Sequence, residues 1–199
     1  MRLPDFSEYL VGDKLLKEEE DWSETKHYEK YAEIIMTATK LFDLGKSFTL
    51  LELGCGSGWV PTMLDNSITY FGVDKNEALL EMARKKNNDE RIFFRQDIRK
   101  FKMSPRADVV CSFAVLKHFG LDEWEDIFRR MLRMGRYGAF SIQVTYKKEP
   151  FDDGIDYHHV WVTEDMIENC ALAEGKFIRL IQSIPRSGFD RFFFIGGKG

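Results

Sequence analysis

Leu50 to Asp74 reads LLELGCGSGWVPTMLDNSITYFGVD. An apolar run from Phe48 to Leu53 meets a glycine-rich turn, Gly54-Cys55-Gly56-Ser57-Gly58. A second apolar run, 69–74, ends on Asp74. Short apolar runs bounded by turns suit strands covered on both faces. Glycine permits positive φ and lets a ligand approach the backbone closely. The short helix expected next, with Pro61 tolerated in its first turn, offers unpaired N–H groups to a polar or negative ligand group. A lone glycine-rich turn is weak evidence, because tight turns need glycine for their own sake. Asp74 strengthens it: twenty positions beyond Gly54, at the end of the next strand, an acid can accept hydrogen bonds from a ribose diol. The segment predicts a nucleotide-cofactor site at the carboxyl edge of a mostly parallel sheet.

The flanking sequence extends the pattern. Before the loop, residues 24–43 repeat Tyr28, Tyr31, Ile34, Ile35, Ala38, Leu41 and Phe42 at helical steps, with Ser23 or Thr25 as cap and Gly45 as stop. After it come strand candidates at 91–97, 107–113 and 135–146. Helical patterns begin near Asn76 and Asp122, and a third follows Thr163. Runs 176–183 and 190–196, separated by PRSG, predict a closing hairpin. Alternating strands and helices mean parallel pairing with right-handed crossovers. The expectation is one domain over 1–199, with 1–44 as a helical segment over the cofactor cleft.

Bulk properties restrict the class. The chain has 199 residues, 44% of them hydrophobic, and a formal charge of -4. That balance argues against an extended nucleic-acid surface. No apolar run approaches a bilayer span, and MRLPDFSEYL lacks the order of a signal peptide, so a soluble cytoplasmic protein without a membrane partner is expected. Cys55, Cys111 and Cys170 lack ligand spacing and read as buried free thiols. The charged run Lys17 to Asp21 and the arginines from Arg129 to Arg136 read as solvated faces.

The loop spacing is GxGxG, not GxGxxG, and no GKS or GKT follows. ELGCGSG resembles the first motif of class I S-adenosylmethionine-dependent methyltransferases, and the likeness continues in order over about residues 45–196. The resemblance implies a three-layer Rossmann-like α/β fold, with a mostly parallel seven-stranded sheet ending in an antiparallel hairpin. It implies S-adenosylmethionine as cofactor, admitted by Gly54, Cys55, Gly56 and Gly58, with Asp74 on the ribose. Asp97 would sit by the adenine amine, Ile98 on the ring, and Glu52 near the cofactor's amino group. Trp59, Lys75, Phe113 and Tyr28 are expected to flank the cofactor. Read from the residues alone, Glu52 could instead be a carboxylate satisfied by backbone N–H groups, and Asp97 a turn cap.

Methyl transfer from a sulfonium needs alignment, and a proton acceptor only for hydroxyl or ammonium nucleophiles. His118, His158 and His159 are the candidate catalytic groups, and Tyr146 and Trp161 the candidate substrate contacts. His27 reads as surface or lid. Trp22, Tyr28 and Tyr31 either close over the cofactor or form the early helix's core face. The adjacent histidines lack a third ligand at helical spacing, so no metal is expected. With little material for a substrate domain, a small-molecule acceptor is favoured, at oxygen or nitrogen ahead of carbon. A protein acceptor, a NAD-dependent oxidoreductase and a non-catalytic binding module are the alternatives. SFAVLKH replaces the paired-proline segment of base-amine methyltransferases, which disfavours a nucleic-acid acceptor. A monomer or homodimer is expected.

Overall fold

A computed structural model describes residues 27–87, 90–144, 151–152, 160–183 and 190–197. Helix α1, His27–Leu41, precedes β1, Thr49–Leu53, and β2, Thr69–Asp74. Helix α2, Glu77–Lys86, leads to β3, Ile92–Arg95, and then β4, Ala107–Ser112. Helix α3, Leu121–Met134, runs directly into β5, Gly135–Gln143. Two short strands follow, β6 (Phe151–Asp152) and β7 (Val160–Trp161), then α4, Glu164–Ala173. Strands β8, Phe177–Ser183, and β9, Asp190–Gly196, form the closing hairpin.

The seven-stranded sheet has the order β3-β2-β1-β4-β5-β9-β8. Neighbours from β3 to β5 are parallel, whereas β9 is antiparallel to both β5 and β8. The order reverses between β1 and β4, so the chain leaves their carboxyl ends in opposite directions, the switch point at which open α/β sheets place a ligand crevice. Helices cover both faces. One core cluster gathers Ile34, Ile35 and Ala38 of α1 with Leu80 and Ala83 of α2. The other gathers Trp124, Ile127, Phe128, Met131 and Leu132 of α3 with Ile167 and Cys170 of α4.

Local chemistry sets the element ends. Asn76 caps α2 by accepting from Ala78 N and Leu79 N. The Thr163 side chain accepts from Met166 N at the start of α4. Asp122 and Glu123 lie in the first turn of α3, where its dipole favours negative charge. Where α3 meets β5, Lys176 is 6% exposed. Its Nζ donates to the carbonyls of Leu132 at 2.6 Å, Gly135 at 2.5 Å and Arg136 at 3.2 Å. The Leu132 carbonyl lies in the last turn of α3, where intrahelical donors run out.

Several expectations are adjusted. Leu41 is 41% exposed, because Phe42 takes the last inward position and stacks on Tyr137. The start expected for the first helix, with Ser23 and Thr25, lies outside the described residues. The third strand is shorter than expected, at Ile92–Arg95, since the chain turns at Asp97, whose carbonyl accepts from Lys100 N and Phe101 N. The segment after β5 carries the β6–β7 ladder, which no periodicity announced. Arg129 and Arg133 both meet Glu174 across the α3–α4 face. All three cysteines are free and buried, as expected.

Candidate functional site

Gly54, at φ +80°, turns the chain out of β1. Gly54 N and Cys55 N both donate to Val73 O, at 2.7 and 3.1 Å, which pins the turn to β2. A Cβ on Gly54 would stand 2.3 Å from Val115 Cγ2, so no side chain fits. Gly58, at φ +69°, faces Ala83 of α2, and Asn87 Nδ2 donates to its carbonyl at 2.8 Å. Gly56 also has positive φ. Its N–H donates to Asp74 Oδ2 at 3.0 Å, while Asn76 N donates to Oδ1 at 2.9 Å. Each oxygen keeps a lone pair for a further donor. Burial raises the Asp74 pKa, and the N–H groups of Asn76 and Gly56 oppose that rise. Lys75 next to it is exposed. The Cys55 thiol turns into the core, so this residue brings only its backbone to the loop.

Glu52 is 3% exposed beneath the loop. Its partner is a side chain, not the backbone N–H groups considered above: Tyr70 Oη donates to Oε2 at 2.5 Å. Burial pushes its pKa up to about 8, with the Tyr70 bond opposing and the nearby Asp74 charge adding. Sequence reasoning missed Tyr70. The signal lay in the period of two, because Tyr70, Gly72 and Asp74 share a face of β2 and Gly72 pairs with Glu52.

Asp97 realises its capping role. Oδ1 accepts from Arg99 N at 2.8 Å, and Oδ2 lies 3.3 Å from the Arg99 guanidinium. That guanidinium also forks onto Glu123 at 2.9 and 2.8 Å. The Asp97 side chain stays 33% exposed, and the Gln96 N–Asp74 O bond holds its turn beside the end of β2. Ile98 is turned into the core on the α3 face, with 8% of its surface left.

Aromatic rings pack beside the loop and under α1. Tyr31 stacks on Phe113 at 4.5 Å, and Phe192 meets both rings edge-on. Tyr28 stacks on Trp59 at 5.9 Å, and Lys86 Nζ stands 3.4 Å from the Trp59 ring centre. Both tyrosines are part-buried and pack against the core cluster under α1. Ala114 holds φ +57°, unusual without glycine, and its N–H donates to Ser141 Oγ at 2.7 Å. A short 3-10 helix, Leu116–His118, then packs against β5 and β7. This brings the segments bearing His118 and Trp161 to one edge. Tyr146, His158, His159 and Trp22 lie outside the described residues, as does the side chain of His27. Among the described residues no cluster of three His, Cys, Asp or Glu could hold a metal, and no helix is long and apolar enough to cross a membrane.

Residues 50–138 match the family model described as "Methyltransferase domain". A malonyl-[acyl-carrier protein] O-methyltransferase of Bacillus anthracis is 22% identical over 138 residues, 63% of this chain and 51% of that protein. The chain spans about half the length of the curated relatives it matches. An S-adenosylmethionine-dependent methyltransferase from Clostridium acetobutylicum superposes with a TM-score of 0.74 at 13% identity, covering 94% of this chain and 100% of that one. Magnesium protoporphyrin IX methyltransferase from Synechocystis, solved with bound S-adenosylmethionine, gives 0.66 at 17% identity, covering 86% and 80%. At these identities the structural likeness is one of fold.

Proposed function

We propose that this chain, whose residues 50–138 match a methyltransferase-domain model and whose fold is that of S-adenosylmethionine-dependent methyltransferases, belongs to the class I S-adenosylmethionine-dependent methyltransferase family and transfers the sulfonium methyl group of S-adenosylmethionine to a small-molecule acceptor, at oxygen or nitrogen. The observation that carries the reading is the pair of carboxylates flanking the positive-φ turn, Glu52 beneath it and Asp74 beside it. Such a set of acceptors suits a ligand with a diol at one end and an ammonium at the other.

In this reading Asp74 accepts the ribose hydroxyls with the lone pairs left by Gly56 and Asn76. Glu52 faces the ammonium, Asp97 the adenine amine, and the side-chain-free Gly54 leaves space for the ligand body. The bound cofactor supplies an electrophilic methyl carbon, so neither a metal nor a covalent enzyme intermediate is needed. The chain supplies alignment, and Tyr28, Tyr31 and Phe113 keep water from the crevice. His118 takes the proton released by a hydroxyl or amine acceptor. Trp161, Tyr146, His158 and His159 are the proposed acceptor contacts, on the segment after β5. The O-methyltransferase named above supports oxygen as the first acceptor atom to try.

Calorimetry with S-adenosylhomocysteine and NAD, followed by methyl transfer to a panel of carboxylate, hydroxyl and amine acceptors, tests the proposal. Binding of the homocysteine analogue without NAD, and turnover on one acceptor class, is expected. Binding of NAD alone would overturn it. Tight analogue binding with no turnover on any acceptor would leave a non-catalytic module.

A further inference from the structure

Glu52 lies in an unusual electrostatic position. From β2 it is faced by Tyr70 and Asp74, from the loop by Cys55, and from β4 by Cys111. None of these carries positive charge. The Arg91 guanidinium, 5.9 Å from the centre of the Tyr70 ring, donates to the carbonyls of Ile68, Leu64 and Asp65. Among the described residues no salt bridge reaches Glu52. A buried carboxylate without a cation retains its proton, and burial here lifts the Glu52 pKa to about 8. Tyr70 is itself fully buried, and its 2.5 Å bond is the one side-chain hydrogen bond to Glu52 among the described residues. Gly72 makes this contact possible. A Cβ there would stand 2.8 Å from Cys55 Sγ and Phe93 Cδ1, and 3.0 Å from Tyr70 Oη.

We propose that Tyr70 is a positioning residue for cofactor capture: its hydroxyl holds the Glu52 carboxyl under the glycine loop and favours its ionised form, so that the arriving ammonium replaces the Glu52 proton. This rests on the methyltransferase reading. The balance is simple. The Glu52 O–H bond breaks, the proton leaves to solvent, and the carboxylate left behind pairs with the cofactor's ammonium. Binding is then linked to pH: affinity rises toward the pKa of the free protein, approaching tenfold per pH unit below it.

Two measurements test this. The first is S-adenosylhomocysteine affinity between pH 6 and 8.5 for the wild type, Tyr70→Phe, Glu52→Gln and the double variant. In Tyr70→Phe the ring still packs on Phe93, but the donor to a charged oxygen is lost. Its binding curve should move about one pH unit upward, with about tenfold weaker affinity at pH 7 and a narrowing gap at pH 8.5. Glu52→Gln should flatten the pH dependence, and adding Tyr70→Phe to it should not restore or shift any pH dependence. A pH-independent loss in Tyr70→Phe, or none, overturns the proposal. The second is a ¹³C titration of glutamate carboxyls in the cofactor-free protein, with the Glu52 signal assigned through Glu52→Gln. The midpoint should rise in Tyr70→Phe; an unmoved midpoint also overturns the proposal. If the wild type binds no analogue at any pH, the methyltransferase reading fails, while the carboxyl titration still decides what Tyr70 does.

Discussion

The two sides of the crevice are built in different ways. At the ends of β1 and β2 the main chain forms the surface: glycines at positive φ, N–H groups fixed on Asp74, and a carbonyl of β2 pinning the turn. At the ends of β4 and β5 side chains form it: Phe113 under Tyr31, Ser141 under Ala114, and the short helix bearing His118 against β7. A surface made of backbone suits one invariant ligand. A surface made of side chains can be changed residue by residue without disturbing the sheet, which is what different acceptors require.

The contrast can be broken by substitution. Gly54→Val should have the largest effect. It places carbon atoms where Val115 already stands and forces a branched residue to φ +80°. S-adenosylhomocysteine binding by calorimetry should fall more than 100-fold, with a stability loss of about 3 kcal/mol or more. The remote Gly175→Ala, at φ +68° with nothing within 4 Å of a Cβ, should cost about 1 kcal/mol in urea melts and leave binding intact.

Next comes pH. The folded-state pKa of Glu52 lies above its unfolded value, so the folded chain holds this proton to higher pH than the unfolded chain does. Its contribution is therefore greatest below about 4.5 and declines as pH rises toward about 8. At about 1.4 kcal/mol per unit, Glu52→Gln should remove a decline of roughly 3 kcal/mol between pH 5 and 8 in cofactor-free denaturant melts. An unchanged slope would mean that Glu52 is ionised in the free protein.

His118→Ala tests the separation from the other side. Loss of a proton acceptor should lower kcat about 100-fold, with analogue affinity within twofold. If binding collapses instead, the two sides are one unit. The smallest effect is expected from Glu123→Gln, which removes the carboxylate that holds Arg99 beside Asp97. This part-exposed pair should change analogue affinity by about two- to threefold, and less in high salt.

The same contrast explains what was legible in the sequence. Gly54, Gly56 and Gly58 could be read because backbone conformation restricts residue type, and Asp74 because it ends the next apolar run. The sheet and its closing hairpin followed from apolar runs and turns. Tyr70 was hidden because tyrosine in a strand reads first as a good β-former. Ala114 was hidden because a non-glycine residue at positive φ carries no mark in the sequence. Asp97 was read as two alternatives, and its carboxylate does cap a turn, with its side chain part-exposed. Leu41 was misjudged because two adjacent apolar residues at a helix end cannot both face inward, and Phe42 had the aromatic partner.

The lysine at the junction of α3 and β5 offers a practical handle. The three carbonyls around Lys176 Nζ shelter it from an acylating reagent for as long as the helix end and the following strand stay together. An exposed amine such as Lys40 should be modified at once. Mass-spectrometric labelling of Lys176 over time would therefore clock the opening of this junction, and would report whether ligand at the far edge of the sheet slows it.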